Sequence, residues 1–438
     1  MPLTKPKNKL GIWMTTSLVI GNMIGAGIFL MPAALAEYGG ISILGWLASS
    51  IGALLLATVF SRLSTMVKSK NGGPYAFSKI GFGDYVGFLV AWGYWIAVWV
   101  AIAAIAIAFV SAMSIFFPIL NENPLVAVLT GLAAIWFLTW VNSRGVRNSG
   151  KIQVLTTLLK LAPIVLIILG GFFFFKTDNF IPFNNSDTSA MGAIAMTGTL
   201  TLYAFLGLES ATIPADNVDN PEKTIPRATM LGTIITTIVY ILSTVVVMGI
   251  VPLDALSKSP TPFADAMMVM TGETGSYIVA GGAAIAAFGA LNGWILIQSQ
   301  IAKAISQDGL FPKIFQKESK KGVPLWGLII GGILSSIVML MNYSEGLVEQ
   351  FKFIILLSTL CTLVPYLFTA AAYVAISLER DKTKKPKTSI FVLGGLTFAY
   401  SIWAIFGAGE KAVFWGFILL MIGTPFYVYL KWKQHKPE

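Results

Sequence analysis

Cysteine and histidine are almost absent from this chain of 438 residues, which has one of each, Cys361 and His435. A single cysteine excludes an intramolecular disulfide, and one cysteine with one histidine is too few ligands for a structural zinc site. We therefore expect no metal and no other cofactor. Charged residues are also scarce, at 11% against about 25% in soluble domains. That deficit excludes an ordinary soluble domain.

Long apolar runs take the place of the missing charge. Hydrophobic residues make up 56% of the chain, and each run is long enough to cross a hydrocarbon core of about 30 Å. The first run is too long for a cleaved signal peptide and lacks a small-residue cleavage site. We predict an all-α membrane protein, a single integral membrane domain over residues 1–438, with twelve transmembrane helices. The runs lie at 11–38, 41–61, 85–113, 124–142, 152–175, 191–214, 228–251, 275–302, 323–341, 350–376, 388–407 and 412–430.

The net charge of +10 could indicate a nucleic-acid partner, but the positions of the basic residues exclude one. If the chain starts in the cytoplasm, 25 of the 30 lysines and arginines fall in inner segments. Lys176, Lys258, Lys352 and Lys411 fall in outer loops, and Lys160 lies inside a helix. This asymmetry is the one that orients membrane proteins in lipid, and it predicts that both termini are cytoplasmic.

Two of the apolar runs are interrupted in the middle by glycine. The first contains Gly21-Asn22-Met23-Ile24-Gly25-Ala26-Gly27-Ile28-Phe29, and the sixth contains Tyr203-Ala204-Phe205-Leu206-Gly207-Leu208-Glu209-Ser210. Freed backbone groups are costly in lipid, so matching breaks indicate backbone turned towards a substrate. Five helices separate the breaks, which predicts inverted repeats over 11–176 and 191–376, with two extra helices at 388–430. Close helix packing through Gly21 and Gly25 is the alternative interpretation.

Two ionisable residues lie deep within predicted helices. Glu209 could exchange protons in a cavity, or it could cap backbone donors at the break. Lys160 could extend along its helix to the membrane surface, or it could be a cation held against the first break. Either residue is therefore a candidate for proton coupling.

Four aromatic residues, Tyr94, Tyr203, Trp294 and Tyr366, lie near helix centres, away from the interfaces where aromatic belts form. Such residues usually pack. In a transporter they are also suited to stack on a ligand and to act as gates.

These features together resemble bacterial antiporters of the amino acid–polyamine–organocation superfamily, and most of all the arginine/agmatine exchangers. The resemblance implies two inverted five-helix repeats, frequent assembly as a homodimer, and one small-molecule substrate carried by alternating access. Its motifs are the two broken segments together with Gly72-Gly73-Pro74-Tyr75, Asn220-Pro221-Glu222-Lys223-Thr224-Ile225-Pro226-Arg227-Ala228-Thr229, Gln307-Asp308-Gly309-Leu310-Phe311-Pro312 and Thr362-Leu363-Val364-Pro365-Tyr366.

The resemblance also implies roles for individual residues. The helix 1 segment would hold the substrate's carboxylate and amino groups, and positions on helices 6, 8 and 10 would complete the pocket. Three residues match gates, and Glu209 and Lys160 match sites of proton coupling. The implied pocket residues are Asn22, Ile24, Gly25, Ala26, Gly27, Tyr203, Ala204, Leu206, Trp294 and Ser358, and the gates are Tyr94, Glu209 and Tyr366.

Four positions depart from the pattern of the exchangers. Ala26 replaces a serine, Tyr203 a tryptophan and Ile102 an asparagine. Lys160 replaces a small neutral residue and is similar to a lysine of proton-coupled members of the superfamily. An added cation and a lost polar partner both argue against a doubly cationic ligand.

The sequence thus predicts a secondary amino acid transporter of the bacterial inner membrane, without enzymatic chemistry and with membrane lipid as its surroundings. One mechanism is exchange of an amino acid for another amino acid or its decarboxylated amine. The other is proton-coupled uptake of an amino acid, which could be a neutral one, with Lys160 or Glu209 carrying the proton. A sensor that binds without transport and an open channel are less favoured, because no signalling domain is evident and the breaks suit an occluded site.

Overall fold

The computed structural model describes residues 10–25, 27–67, 73–144, 150–212, 218–319, 322–341, 344–380 and 387–434, and every structural statement below concerns these residues. They form helices almost throughout, and their only β-type pairings are two isolated bridges, Leu10 with Val218 and Glu318 with Pro324. The α-helices are α1 Ile12–Met23, α2 Gly27–Ala36, α3 Ser42–Met66, α4 Pro74–Phe82, α5 Asp84–Met113, α6 Ile119–Glu122, α7 Pro124–Ser143, α8 Gly150–Gly171, α9 Ala190–Leu202, α10 Pro221–Ile250, α11 Leu253–Leu256, α12 Pro262–Thr271, α13 Glu273–Gln307, α14 Leu325–Met341, α15 Leu347–Arg380, α16 Thr388–Gly407 and α17 Glu410–Gln434.

Several helices begin where local sequence chemistry favours a start. In α7 the Asn123 side chain accepts hydrogen bonds from the N–H groups of Leu125 and Val126, at 3.1 and 3.3 Å, and Pro124 is the first helical residue. Proline at this position removes an N–H that would have had no partner within the helix. The same proline start opens α10 after Asn220, which has a φ of +47°.

Nine of the described helical segments are long and apolar enough to cross a membrane. The pair α1 and α2 forms a tenth candidate, bent by 43°. The apolar segments Lys160–Phe174 and Leu325–Met341 are shorter. The prediction of an all-α membrane protein is confirmed. If both shorter segments cross, the total is twelve; that count and the inverted repeat with its boundaries stay predictions.

Both predicted breaks are present. Helix α1 ends at Met23 and α2 starts at Gly27, and Ala26 between them lies outside the described residues. Helix α9 ends at Leu202 and continues as two short 3₁₀ segments, Tyr203–Phe205 and Leu208–Thr212, on either side of Gly207. Gly207 has a φ of +102°, a conformation that side-chain-bearing residues rarely adopt. Regular backbone hydrogen bonding therefore stops in both runs.

Helix α5 lies at the centre of the helix bundle. Nearly all of its side chains from Gly87 to Ala112 are buried, and it packs against α13 and α15. Helices α16 and α17 lie at the periphery, where fewer than a third of the residues in each apolar window are buried. The placement of Lys352 in an outer loop was wrong. It lies in the second turn of α15, 8% exposed, and pairs with Glu37 and Glu349. Two carboxylates stabilise a lysine at this depth, which a loop would not require.

Two glycines on α16 give a stability test of this packing. A Cβ on Gly407 would overlap the carbonyl oxygen of Ala195 on α9, whereas a Cβ on Gly395 would meet nothing within 4 Å. We expect Gly407→Ala to destabilise the protein relative to Gly395→Ala by about 1–3 kcal/mol, the usual cost of overpacking. Thermal unfolding in one detergent measures the difference, and equal melting temperatures would contradict the packing of α16 on α9.

Candidate functional site

The two broken segments lie against each other. A Cβ on Gly207 would come within 3.3 Å of the backbone carbonyl carbon of Asn22. A Cβ on Gly27 would come within 2.8 Å of Cε1 of Tyr203. Glycine at both positions thus permits a close approach that larger residues would prevent. The backbones of the first and sixth spans therefore form one common site.

The hydroxyl group of Tyr240, on α10, contacts both breaks. Its hydroxyl lies 2.5 Å from the carbonyl oxygen of Met23 and 3.0 Å from that of Ala204, and it donates its single proton to one of them at a time. Both carbonyls lie at helix ends, where carbonyl groups lose their intrahelical N–H donors. Sequence analysis missed this residue. The available signal was a tyrosine in the middle of an apolar run, where its hydroxyl needs a buried partner.

A cavity lies in front of the breaks. It contains most of the pocket positions that the resemblance implied, and it also has an apolar wall from α5 that sequence analysis missed. The implied residues that line it are Asn22, Gly25, Gly27, Tyr94, Tyr203, Ala204, Leu206, Glu209, Trp294 and Ser358; the additional ones are Met23, Ile28, Ala97, Val98, Ala101, Ile105, Gly207 and Thr362.

The remaining predicted residues lie elsewhere. The side chain of Ile24 is fully buried and does not line the cavity. Tyr366 does not line the cavity either, although its hydroxyl contacts the Glu209 carboxylate. Ile102 is also fully buried outside the lining, and Lys160 does not line this cavity either, so neither residue opposes a doubly cationic ligand there as the sequence led us to expect. Ala26 lies outside the described residues.

Glu209 is 1% exposed and is held by two tyrosines. The Tyr94 hydroxyl donates to Oε1 at 2.6 Å, and the Tyr366 hydroxyl donates to Oε2 at 2.8 Å. The backbone N–H groups of Gly207 and Glu209 also approach this carboxylate, so it caps donors at the break as well as lining the cavity. In the described part of the cavity wall, Glu209 is the only ionisable carboxylate. A small ligand that carries an ammonium group is the natural complement of this arrangement.

Lys160 lies on the other side of the first break. It is the eleventh residue of α8, about 15 Å from the helix start at 1.5 Å per residue. Its Nζ donates to the carbonyl oxygen of Gly21 at 3.3 Å, and the residue is 8% exposed. The side chain is therefore directed at α1 and does not extend to the membrane surface.

The site contains no arrangement that suggests a metal centre. Throughout the described ranges, no group of three or more histidine, cysteine, aspartate or glutamate residues is placed to hold an ion. Ser358 and Thr362 of α15 donate their hydroxyl protons to the carbonyl oxygens of Ala97 and Ser358, at 2.9 and 3.0 Å. Their oxygens can still accept hydrogen bonds from a ligand. The arrangement supports binding and positioning of a polar small molecule.

Removal of the Tyr240 hydroxyl tests its role at the breaks. We expect Tyr240→Phe to lower the free energy of unfolding by about 1–3 kcal/mol, because the carbonyl groups of Met23 and Ala204 lose a buried donor. Tyr400→Phe is the matched control, since the buried Tyr400 hydroxyl has no hydrogen-bond partner among the described residues. Thermal unfolding compares the two variants, and equal destabilisation would show that Tyr240 acts only by packing.

Comparison with known proteins finds relatives that match nearly the whole chain. The chain is 35% identical over 435 residues to "Putrescine transporter PotE" of Haemophilus influenzae, covering 98% of this chain and 99% of the relative. It is 34% identical over 427 residues to "Putrescine transporter PotE" of Escherichia coli K12, covering 96% and 95%. It is 33% identical over 428 residues to "Cadaverine/lysine antiporter" of Escherichia coli K12, covering 96% and 94%.

The match to a family extends over almost the whole chain. The sequence profile described as "Amino acid permease" matches residues 10–430, from just before α1 to within α17. The relatives are transporters of basic amino acids and polyamines, which agrees with the resemblance found in the motifs and with an integral membrane protein that is not an enzyme. The chain belongs to the amino acid permease family of membrane transporters.

Proposed function

We propose that this protein exchanges a cationic amino acid for its decarboxylated amine by alternating access. The observation that carries the proposal is Glu209, a buried carboxylate that lines a cavity between two broken helices. An isolated buried charge is costly, and a ligand ammonium in the cavity would balance it. The relatives are named for transport of putrescine, cadaverine and lysine, which supports an amine as ligand.

The helix ends explain how one site could take both an amino acid and an amine. The carbonyl ends of α1 and α9 carry partial negative charge and favour an ammonium group. The start of α2 at Gly27 and the 3₁₀ turn from Leu208 present N–H groups that favour a carboxylate. The ammonium group of an amino acid would bind at the carbonyl ends, and its carboxylate would bind at the N–H groups. The decarboxylated amine has no carboxylate and would use only the carbonyl ends. Both ligands would therefore compete for the same site.

The wall of α5 suits an aliphatic chain. Ala97, Val98, Ala101 and Ile105 form an apolar surface along the cavity, and Tyr203 and Trp294 add aromatic faces that can stack on a cationic group. The same wall would accommodate lysine with cadaverine, ornithine with putrescine, or arginine with agmatine.

The balance of charge also provides a reason for obligatory exchange. Without a ligand, reorientation of the site would carry the Glu209 charge through the closed state with no cation beside it. A bound ammonium group removes that cost in either direction. Net movement of the empty transporter would then be slow.

Proton-coupled uptake is the second candidate, and one observation favours it. The Lys160 ammonium contacts the Gly21 carbonyl oxygen at the end of α1, so a change in its protonation would act directly on the first break. In this mechanism a proton on Lys160 or Glu209 would replace the exchanged amine as the coupling cation.

We place the protein in a bacterial inner membrane with both termini in the cytoplasm, as a homodimer. The charge asymmetry of the loops supports this orientation. The bacterial origin of the relatives supports the compartment, and the homodimer rests on the family resemblance alone.

Transport into reconstituted vesicles distinguishes the two mechanisms. For exchange, we expect uptake of labelled amino acid into vesicles preloaded with its amine to be at least about 100-fold faster than into empty vesicles, since an unpaired buried charge costs about 3–5 kcal/mol. Protein-free vesicles give the background. Accumulation in empty vesicles driven by a proton gradient alone would overturn obligatory exchange in favour of symport.

Substitution of Glu209 tests the proposed partner of the ammonium group. We expect Glu209→Gln to weaken amine binding by about 10- to 100-fold, the worth of a hydrogen bond to a charged group. Its transport rate should also lose its pH dependence, because glutamine takes up no proton. Glu273→Gln, at an exposed position at the start of α13, is the matched control. Wild-type affinity in the Glu209 variant would remove this carboxylate from the site.

A further inference from the structure

A second cavity lies between α1, α8 and α13. Asn22 and Trp294 line both this cavity and the central one, so the two are neighbours across the first break. Its α13 wall consists mainly of small residues, which leave a groove about 16 Å long at 1.5 Å per residue. The small residues of that wall are Gly282, Ala286, Gly289, Ala290 and Gly293.

The groove is unfilled by protein and opens towards the bilayer. A Cβ added at Gly289 or Gly293 would meet nothing within 4 Å. Ile285 at its edge is 72% exposed, and Leu158 on α8 is 59% exposed. Both residues lie within membrane-spanning helices, away from the helix ends. Exposed aliphatic side chains at such positions face hydrocarbon. A ligand could therefore enter sideways from the lipid.

Lys160 supplies the single charge of the groove. Its ammonium group lines the cavity, is almost fully buried and has one hydrogen bond, to the Gly21 carbonyl oxygen. Among the described residues, no carboxylate forms an ion pair with it. A buried cation without a counter-charge is unfavourable, and an anionic group in the groove would stabilise it.

We propose that this groove binds the anion of a single-chain fatty acid from the bilayer. The carboxylate pairs with Lys160, and the hydrocarbon chain lies along the small-residue face of α13. The inference does not depend on the proposed exchange. Because Asn22 and Trp294 are shared, an occupied groove would restrict movement at the first break and slow transport.

Photolabelling of the full chain in lipid nanodiscs tests this site. The probe is dodecanoate with a diazirine in its chain, and labelled peptides are located by mass spectrometry. We expect labels within residues 157–166 or 282–293. Unlabelled dodecanoate should compete at least about tenfold better than its uncharged methyl ester, the difference expected for a charge-assisted hydrogen bond.

Two variants make the test specific. Gly289→Phe should fill the groove and reduce labelling at least about tenfold, whereas Gly395→Phe, also at an open position but on α16, should leave labelling unchanged. Lys160→Met should make acid and ester compete equally. Gel filtration checks that each variant is folded, and Gly293→Phe replaces Gly289→Phe if that variant is not.

Three results would overturn the proposal. They are labelling outside the two segments, equal competition by acid and ester in the wild type, and unchanged labelling in a folded groove-filled variant. Stronger labelling of the same peptides by a diazirine phosphatidylglycerol would also overturn it, because a two-chain lipid would then be the occupant.

Discussion

Backbone groups without helical partners, held in a medium of low polarity, are the constraint on which the rest of this structure depends. Interrupting α1 and α9 frees carbonyl and N–H groups that lipid cannot satisfy. Groups within the protein replace these lost partners. The Tyr240 hydroxyl lies within hydrogen-bonding distance of a carbonyl at each break, and Gly207 allows the two broken segments to approach each other closely. Helices α8 and α10 pack against α1 and shield much of the first break from lipid.

Glu209 depends on the same surroundings. Two tyrosine hydroxyls from α5 and α15 hold its carboxylate, so three separate spans meet at one charge. Any movement that opens the cavity must preserve or replace these hydrogen bonds, because a buried carboxylate without partners is strongly unfavourable. This links the binding of a cation to the arrangement of the helices. The pairing of Lys352 with Glu37 and Glu349 joins α15 to the end of α2 in a similar way.

Prediction from sequence succeeded where a local signal was strong. The apolar run at 124–142 became α7 Pro124–Ser143, since a capping asparagine and a proline mark its start. Prediction was less accurate where polar residues join an apolar helix. The run at 228–251 belongs to α10 Pro221–Ile250, which begins seven residues earlier. Lys352 was misplaced because one of the two carboxylates that stabilise its charge inside the helix, Glu37, is 315 positions away in the chain.

The sequence by itself determined that this is an all-α membrane protein, where two of its spans are interrupted, and which carboxylate is buried at the second break. These properties follow from composition, spacing and the cost of charge in lipid, all of which act locally. Only the tertiary structure decided that Tyr240 ties the breaks together, that Ile24 and Ile102 lie outside the cavity, and that Lys160 faces a separate groove. Those facts depend on how helices far apart in the chain rotate and pack against one another, and hydrophobic periodicity cannot specify this when nearly every face of a helix is apolar.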